Sequence, residues 1–209
     1  PYTTLFRSGH HELAKKIART TKIIRELQDL SMAMRMVPLK PTFQKMARLA
    51  RDVSHKCGKH VEFLTEGEDT EIDRNMVDII GDPLVHLVRN AVDHGVESPG
   101  ERAAADKPPV GRVRLVAYHA GGNVVVEIQD DGKGLDRERI LAKAISRGIV
   151  EADRGMSVSE VYNLIFAPGF STADAVTDVS GRGVGLDVVK RNVESLRGRV
   201  DISSSPGQG

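Results

Sequence analysis

Three short stretches of this chain carry residue types that could hold a charged ligand. In the first, His86, Asn90 and Asp93 stand at i, i+4 and i+7 with Arg89 beside them. At roughly 100° per helical residue they share one stripe, opposite an apolar stripe of Leu84, Leu87, Val88, Ala91 and Val92. Such a stripe could meet a metal ion, a phosphate or a polar ligand. An ordinary solvated helix face accounts for it equally well, although such faces usually carry Lys and Glu, and Asn is a mediocre helix former. The second stretch is Asp130-Asp131-Gly132-Lys133-Gly134. By itself it reads as a turn after a strand. Used chemically, its carboxylate could accept from the exocyclic amine of adenine while Gly132 and Gly134 let the backbone come close to the base. The third stretch, Gly181-Arg182-Gly183-Val184-Gly185, places free N–H groups at a helix N-terminus, where they could hold phosphate oxygens with Arg182 adding charge, or form a plain loop. Two better-known phosphate grips are excluded. Gly58-Lys59 and Gly132-Lys133 are followed by His60 and Gly134, where a P-loop needs Ser or Thr, and Leu186 and Val188 stand where a dinucleotide fingerprint needs its third glycine.

The elements that must position these residues follow from periodicity and caps. Asp82 as N-cap and Pro83 as first helical residue predict a helix from there to Gly95, with a shorter helix capped by Asp73 before it. Further upstream, Leu13, Ile17, Thr20, Ile24, Leu27, Ser31 and Met34 alternate four and three apart. That is a heptad seam on a helix from His10 to Met36, a rod of roughly 40 Å that needs a partner helix. Residues 1–9 show no period. Pro38 and Pro41 mark a connector and a domain boundary near Val37. A helix over Thr42–Cys57 closed by Gly58 and a strand over His60–Thr65 come next. Ser98–Pro109 reads as a loop with room for one helical turn. Val113–Tyr118 and Val124–Gln129 form a hairpin through Ala120-Gly121-Gly122-Asn123. Asp136 caps a helix to Arg147, Ser157 with Glu160 makes a capping box for a helix through Phe166, and a last helix over Val184–Leu196 precedes a strand over Arg199–Ser203. This order predicts an α+β fold: a two-layer α/β sandwich with helices on one face of a mixed, mostly antiparallel sheet, preceded by one long helix.

Composition narrows the partners. In 209 residues, 30 basic and 29 acidic side chains nearly cancel, which leaves no electrostatic case for nucleic-acid binding. Cys57 is the single cysteine, so an internal disulfide is excluded and a reducing, cytoplasmic setting is expected. No apolar run approaches a membrane span of about 20 residues.

The order His-x-x-x-Asn, Asp-x-Gly-x-Gly, Gly-x-Gly-x-Gly resembles the GHKL ATP-binding fold shared by histidine kinases, DNA gyrase, the Hsp90 chaperones and MutL. Leu87–Glu97, Phe166–Thr172 and Ser180–Val189 resemble the chemotaxis histidine kinases in particular, and Met36-Val37-Pro38 resembles their junction between dimerisation and catalytic domains. The resemblance covers about residue 11 to 209. It implies ATP and Mg²⁺ as cofactors, with Asn90 a Mg²⁺ ligand through its amide oxygen and His86 a second metal residue near the γ-phosphate, both with a catalytic role. It further implies that Arg89, Asp93 and His94 face the nucleotide and that Asp130 reads adenine beside Gly132 and Gly134. Lys143 would reach the phosphates, Phe166 and Phe170 would precede an ATP lid over Ser171–Ser180, and Gly181, Arg182, Gly183, Val184 and Gly185 would close on the triphosphate.

The ATP-hydrolysing relatives carry Glu four positions before the Asn as a water-activating base. His86 stands there instead, which favours transfer of the γ-phosphoryl group to a histidine over hydrolysis. The acceptor would be a separate phosphotransfer domain, since none of the seven histidines has the acceptor's setting. The resemblance also implies a homodimeric parent protein, coupled to a chemoreceptor and a coupling protein through regions absent here. Residues 1–9 are left unassigned, 10–36 are part of the dimerisation helix, and 37–209 are the catalytic domain short of its last strand. Two alternatives stay open at this point: an ATP-hydrolysing clamp and a non-catalytic nucleotide-sensing module.

Overall fold

A computed structural model describes residues 2–151, 155–170 and 185–209. The chain opens with α1 (Tyr2–Ala33), followed by β1 (Met36–Pro38), α2 (Lys40–Lys56), β2 (Val61–Glu66), β3 (Glu71–Asp73) and α3 (Arg74–Asn90). A π-helical turn, Ala91–Gly95, continues α3 and leads to α4 (Pro99–Ala104) and the hairpin strands β4 (Gly111–Ala120) and β5 (Asn123–Asp130). Then come α5 (Arg137–Ser146), α6 (Val158–Asn163) with a 3₁₀ turn over Leu164–Phe166, and α7 (Leu186–Ser195).

In the central sheet β2 pairs parallel with β4, and β4 pairs antiparallel with β5, while β1 and β3 form a separate antiparallel pair. Along β4, Gly111, Val113, Leu115 and Ala117 are buried while Arg112 and Arg114 are exposed, the alternation of a sheet covered on one face. The covered face packs against Phe43, Met46 and Ala50 of α2 and Leu84 and Val88 of α3. The open face carries ion pairs from Arg112 to Glu62 and from Arg114 to Glu66. A second core joins Ile140, Leu141 and Ala144 of α5 to Val161, Tyr162, Ile165, Phe166 and Phe170. The expected two-layer α+β architecture is present.

Three expectations need correction. The helix bearing His86 and Asn90 does not start at Asp82; it starts at Arg74, where the Asp73 carboxylate accepts from the Asn75 N–H at 2.8 Å. Pro83 lies inside the helix and is buried. An interior proline costs about 3 kcal/mol, but the stripe of Val77, Ile80, Leu84 and Val88 packs into one core through it, and burial of each such side chain returns roughly 1.5–3 kcal/mol. Second, the long helix does not begin at His10; α1 is helical from Tyr2 and ends at Ala33. Third, residues 199–203 form no strand. Their alternation is real, since Val200 and Ile202 pack on the second core. What pins the segment that follows is the Ser204 hydroxyl, which accepts from the Leu135 N–H at 2.8 Å, and the Gly207 N–H, which donates to the Lys133 carbonyl at 2.8 Å. Among the described residues no helix is long and apolar enough to cross a membrane.

Candidate functional site

The first and second stretches meet where α3 runs out. At Ala91 the helix widens to i→i+5 bonding, closed by the Val96 N–H on the Ala91 carbonyl at 2.8 Å; such π turns gather at functional sites. Gly95 ends the turn without a positive φ. Its glycine identity has another cause: a Cβ there would lie 3.0 Å from Asp130 Oδ1 and 3.2 Å from Oδ2. Gly132 is tighter still, its virtual Cβ 2.2 Å from the Gly95 carbonyl oxygen. The Lys133 N–H donates to that same oxygen at 3.1 Å. Gly134 has φ +72°, and a Cβ would strike the Ser205 carbonyl at 2.6 Å. The glycines at 95 and 132 are therefore spaces that let two backbone segments close around one carboxylate. Asn90 is the last residue of α3, five positions before Gly95 and hence roughly 8 Å away along the axis.

Asp130 is half-buried, and burial lifts its carboxyl above the ordinary range; the Gly132 N–H, donating to Oδ1 at 3.0 Å, pulls the other way. The neighbouring carboxylates of Asp131 and Glu97 raise it further, and Lys107 lowers it. Around it stands a buried ion network. Arg102, 1% exposed, donates to Asp131 Oδ1 and Oδ2 at 3.1 and 2.9 Å and to Glu97 Oε2 at 3.1 Å. Lys107 donates to Glu97 Oε1 at 2.5 Å and to the carbonyls of Asp131 and Gly132 at 2.9 and 2.8 Å. Burial opposes ionisation of Asp131, but the Arg102 fork and the Arg112 N–H outweigh it and hold the carboxyl below the usual range. Glu97 is held low in the same way, burial being outweighed by Lys107.

On the α3 stripe, burial lowers the His86 pKa, with Arg89 and His94 adding to the effect and Asp187 of α7 opposing it. Its imidazole is thus held toward the neutral form. α7, capped at its start by the buried backbone of Gly185, packs along α3. Arg89 and Asn90 are half-buried, and the Arg89 Nε is buried with no hydrogen-bond partner among the described residues.

Asp93 and His94 lie in the π turn. The Asp93 carboxylate accepts from the Cys57 thiol at 3.2 Å, and burial together with Asp93 pushes that thiol up. His94 is largely exposed, its Nε2 3.7 Å from Asp93 Oδ2. Lys143 lies over the Phe170 ring, 5.4 Å from its centroid, and Phe166 and Phe170 are both buried in the second core. Gly181, Arg182, Gly183, Val184 and the lid segment at 171–180 lie outside the described residues.

Sequence reasoning passed over five residues that build this site: Lys59, Glu97, Arg102, Lys107 and Asp131. Lys59 donates to the carbonyls of Val92, Asp93 and Val96, filling acceptors that the end of a helix leaves free. Arg102 and Lys107 sit in the segment read as a loop, where no periodicity marks them; only their long-range partners reveal them. For a metal, the described residues offer no group of three His, Cys, Asp or Glu. The Asn90 amide oxygen is a single hard donor, which fits Mg²⁺ held mainly by water and substrate phosphates and does not fit a closed protein cage. The His86 imidazole is a poor Mg²⁺ ligand by the same chemistry.

Residues 80–209 match the family described as histidine kinase-, DNA gyrase B-, and HSP90-like ATPase. A chemotaxis protein CheA of Rhizobium meliloti (strain 1021) is 52% identical over 202 residues, covering 97% of this chain and 27% of that protein. The chemotaxis protein CheA of Bacillus subtilis (strain 168) is 48% identical over 202 residues, covering 96% of this chain and 30% of that one. The sensor histidine kinase CheAY of Helicobacter pylori (strain ATCC 700392 / 26695) is 48% identical over 200 residues, with 95% of this chain and 25% of that protein covered. This chain therefore spans less than a third of the length of these curated relatives. With the matched segment carrying α3 from Ile80 onward, its π turn, the Asp130 carboxylate and both motif glycines, the chain belongs to the histidine kinase-, DNA gyrase B- and HSP90-like ATPase family.

Proposed function

We propose that this chain is the ATP-binding catalytic part of a CheA-type protein-histidine kinase in chemotaxis signalling, and that it transfers the γ-phosphoryl group of ATP to a histidine on a separate phosphotransfer domain. The observation that carries this reading is the half-buried Asp130 carboxylate seated against Gly95 and Gly132, at the end of the helix that presents Asn90. Asp130 accepts from the exocyclic amine of adenine, and Gly95 and Gly132 let the backbone close around that carboxylate. Asn90 offers its amide oxygen toward Mg²⁺, which when bound neutralises phosphate charge. His86, held toward the neutral form by burial and Arg89, stands where the hydrolysing relatives carry their carboxylate base, and it orients what lies beside Asn90. Arg89, Asp93, His94, Lys143 and the segment from Gly181 to Gly185 complete the nucleotide contacts. Catalysis of this kind is placement and charge neutralisation.

The exposed seam of α1 supports a homodimer in the parent protein, which the same reading places in the cytoplasm, coupled to a chemoreceptor and a coupling protein. The deciding experiment incubates the chain with labelled ATP, Mg²⁺ and the phosphotransfer domain of one of the relatives above. The expected product is acid-labile phosphohistidine on the added domain, with Asn90→Ala, which removes the oxygen donor, slowing the reaction roughly 100-fold. Phosphate release without any acceptor, at a rate abolished by His86→Ala, would overturn transfer in favour of hydrolysis.

A further inference from the structure

Lys107 belongs to none of the three stretches, yet its ammonium touches the backbone on which the Asp130 carboxylate depends. It donates to the carbonyl oxygens of Asp131 and Gly132 at 2.9 and 2.8 Å. A peptide unit is planar, with its carbonyl and the following N–H pointing in opposite directions. Drawing the Asp131 carbonyl toward Lys107 therefore turns the Gly132 N–H away from it, and this N–H is the group that donates to Asp130 Oδ1 at 3.0 Å. Gly132 has no side chain to steer that peptide, and the space a Cβ would need is filled by the Gly95 carbonyl.

The ammonium is itself fixed. Glu97 accepts from it at 2.5 Å through Oε1 and from Arg102 at 3.1 Å through Oε2, and the Arg102 fork holds both oxygens of Asp131. The result is a carboxylate with Oδ1 engaged by a peptide whose plane is set from outside. Among the described residues, nothing donates to Oδ2.

We propose that Lys107 is a positioning residue for base selectivity: through the Asp131–Gly132 peptide it aims Asp130 so that Oδ2 accepts from a 6-amino purine and rejects a 6-oxo purine. This rests on the reading of Asp130 as the adenine acceptor. A 6-oxo base presents a second acceptor to the carboxylate, so discrimination is large only when the carboxylate cannot swing aside.

The test measures equilibrium binding of ATP and of ITP to the chain, wild type and variant. Wild type should prefer ATP, and Lys107→Met should cut that preference about tenfold, the size of one hydrogen bond to a charged group. Lys107→Arg, which keeps the cation and its donors, should restore most of it. Glu97→Gln is nearly isosteric and leaves Lys107 in place but loosens it, so preference should fall in the same direction by less; this variant provides the reading if Lys107→Met does not fold. General loosening of the site would weaken both nucleotides alike and leave their ratio unchanged. A ratio within twofold of wild type in Lys107→Met, or in Glu97→Gln where Lys107→Met does not fold, overturns the role of Lys107 and leaves the adenine site standing. Equal affinity of the wild-type chain for ATP and ITP overturns the adenine reading itself, and this inference with it.

Discussion

The Asp130 carboxylate is expensive to keep. Burial raises its pKa, so the folded chain takes up a proton as pH falls through that raised value, before the unfolded chain does. At neutral pH the ionised group therefore costs stability, and the cost is relieved on acidification toward the ordinary carboxylate range. Asp131 and Glu97 are depressed and act in the opposite sense: their contribution is present at neutral pH and is lost as pH falls through their lowered values. Asp130→Asn is accordingly expected to raise the urea midpoint of the nucleotide-free chain at pH 7, with the advantage shrinking toward pH ~4, while weakening ATP binding roughly 10- to 100-fold. Stabilisation coupled to loss of binding is the signature of a residue kept for function. Gly95→Ala should weaken ATP binding with little change in midpoint, because its new methyl presses on the carboxylate at 3.0–3.2 Å. Asp130, Asn90 and the two motif glycines could be singled out in the sequence, but each stretch alone read as well as a turn or a solvated face, and their roles came from the resemblance. The reason for Gly95 was not, since it depends on a carboxylate 35 positions away.

Among the elements, the π turn at Ala91–Gly95 does most to join the two stretches, and Lys59 holds its end through three carbonyls. Lys59→Met should lower stability by about 2 kcal/mol, read as a shift in urea midpoint at constant slope. The buried network predicts a larger loss. Arg102→Met leaves Asp131 and Glu97 facing each other without their shared guanidinium, which should cost roughly 3–5 kcal/mol. Most elements could be read from caps and periodicity: α2, the β4–β5 hairpin, and the capping box at Ser157 and Glu160 all stand within a few residues of expectation. Two local signals misled. Asp82-Pro83 imitates a helix start because cap chemistry is local, whereas the burial that carries α3 through Pro83 is tertiary. The alternation at residues 199–203 reports one buried face, which packing on the second core satisfies without any ladder.

At the scale of the whole molecule, there are two cores among the described residues: one under the sheet, the other around α5 and α6. Among the described side chains, none of α1 belongs to either. Its Leu13, Ile17, Ile24 and Leu27 are exposed and Met34 is 82% exposed, on the seam that the heptad spacing marked. By the homodimer reading, sedimentation should find concentration-dependent association of the wild-type chain, and Ile17→Glu combined with Ile24→Glu should leave it monomeric with ATP binding unchanged. Partner identity was not legible in this chain, which spans less than a third of the length of the curated relatives it matches. The central claim is narrower: one cleft holds a purine at Asp130 and a metal-bound triphosphate at Asn90. Amide NMR of the chain titrated with ATP, and then with Mg²⁺, tests it most directly. The expected result is that ATP shifts the backbone signals of Gly95, Gly132 and Gly134, and that Mg²⁺ then shifts the Asn90 side-chain amide. Shifts confined to another surface, or an Asn90 amide indifferent to Mg²⁺ in the presence of ATP, would contradict it.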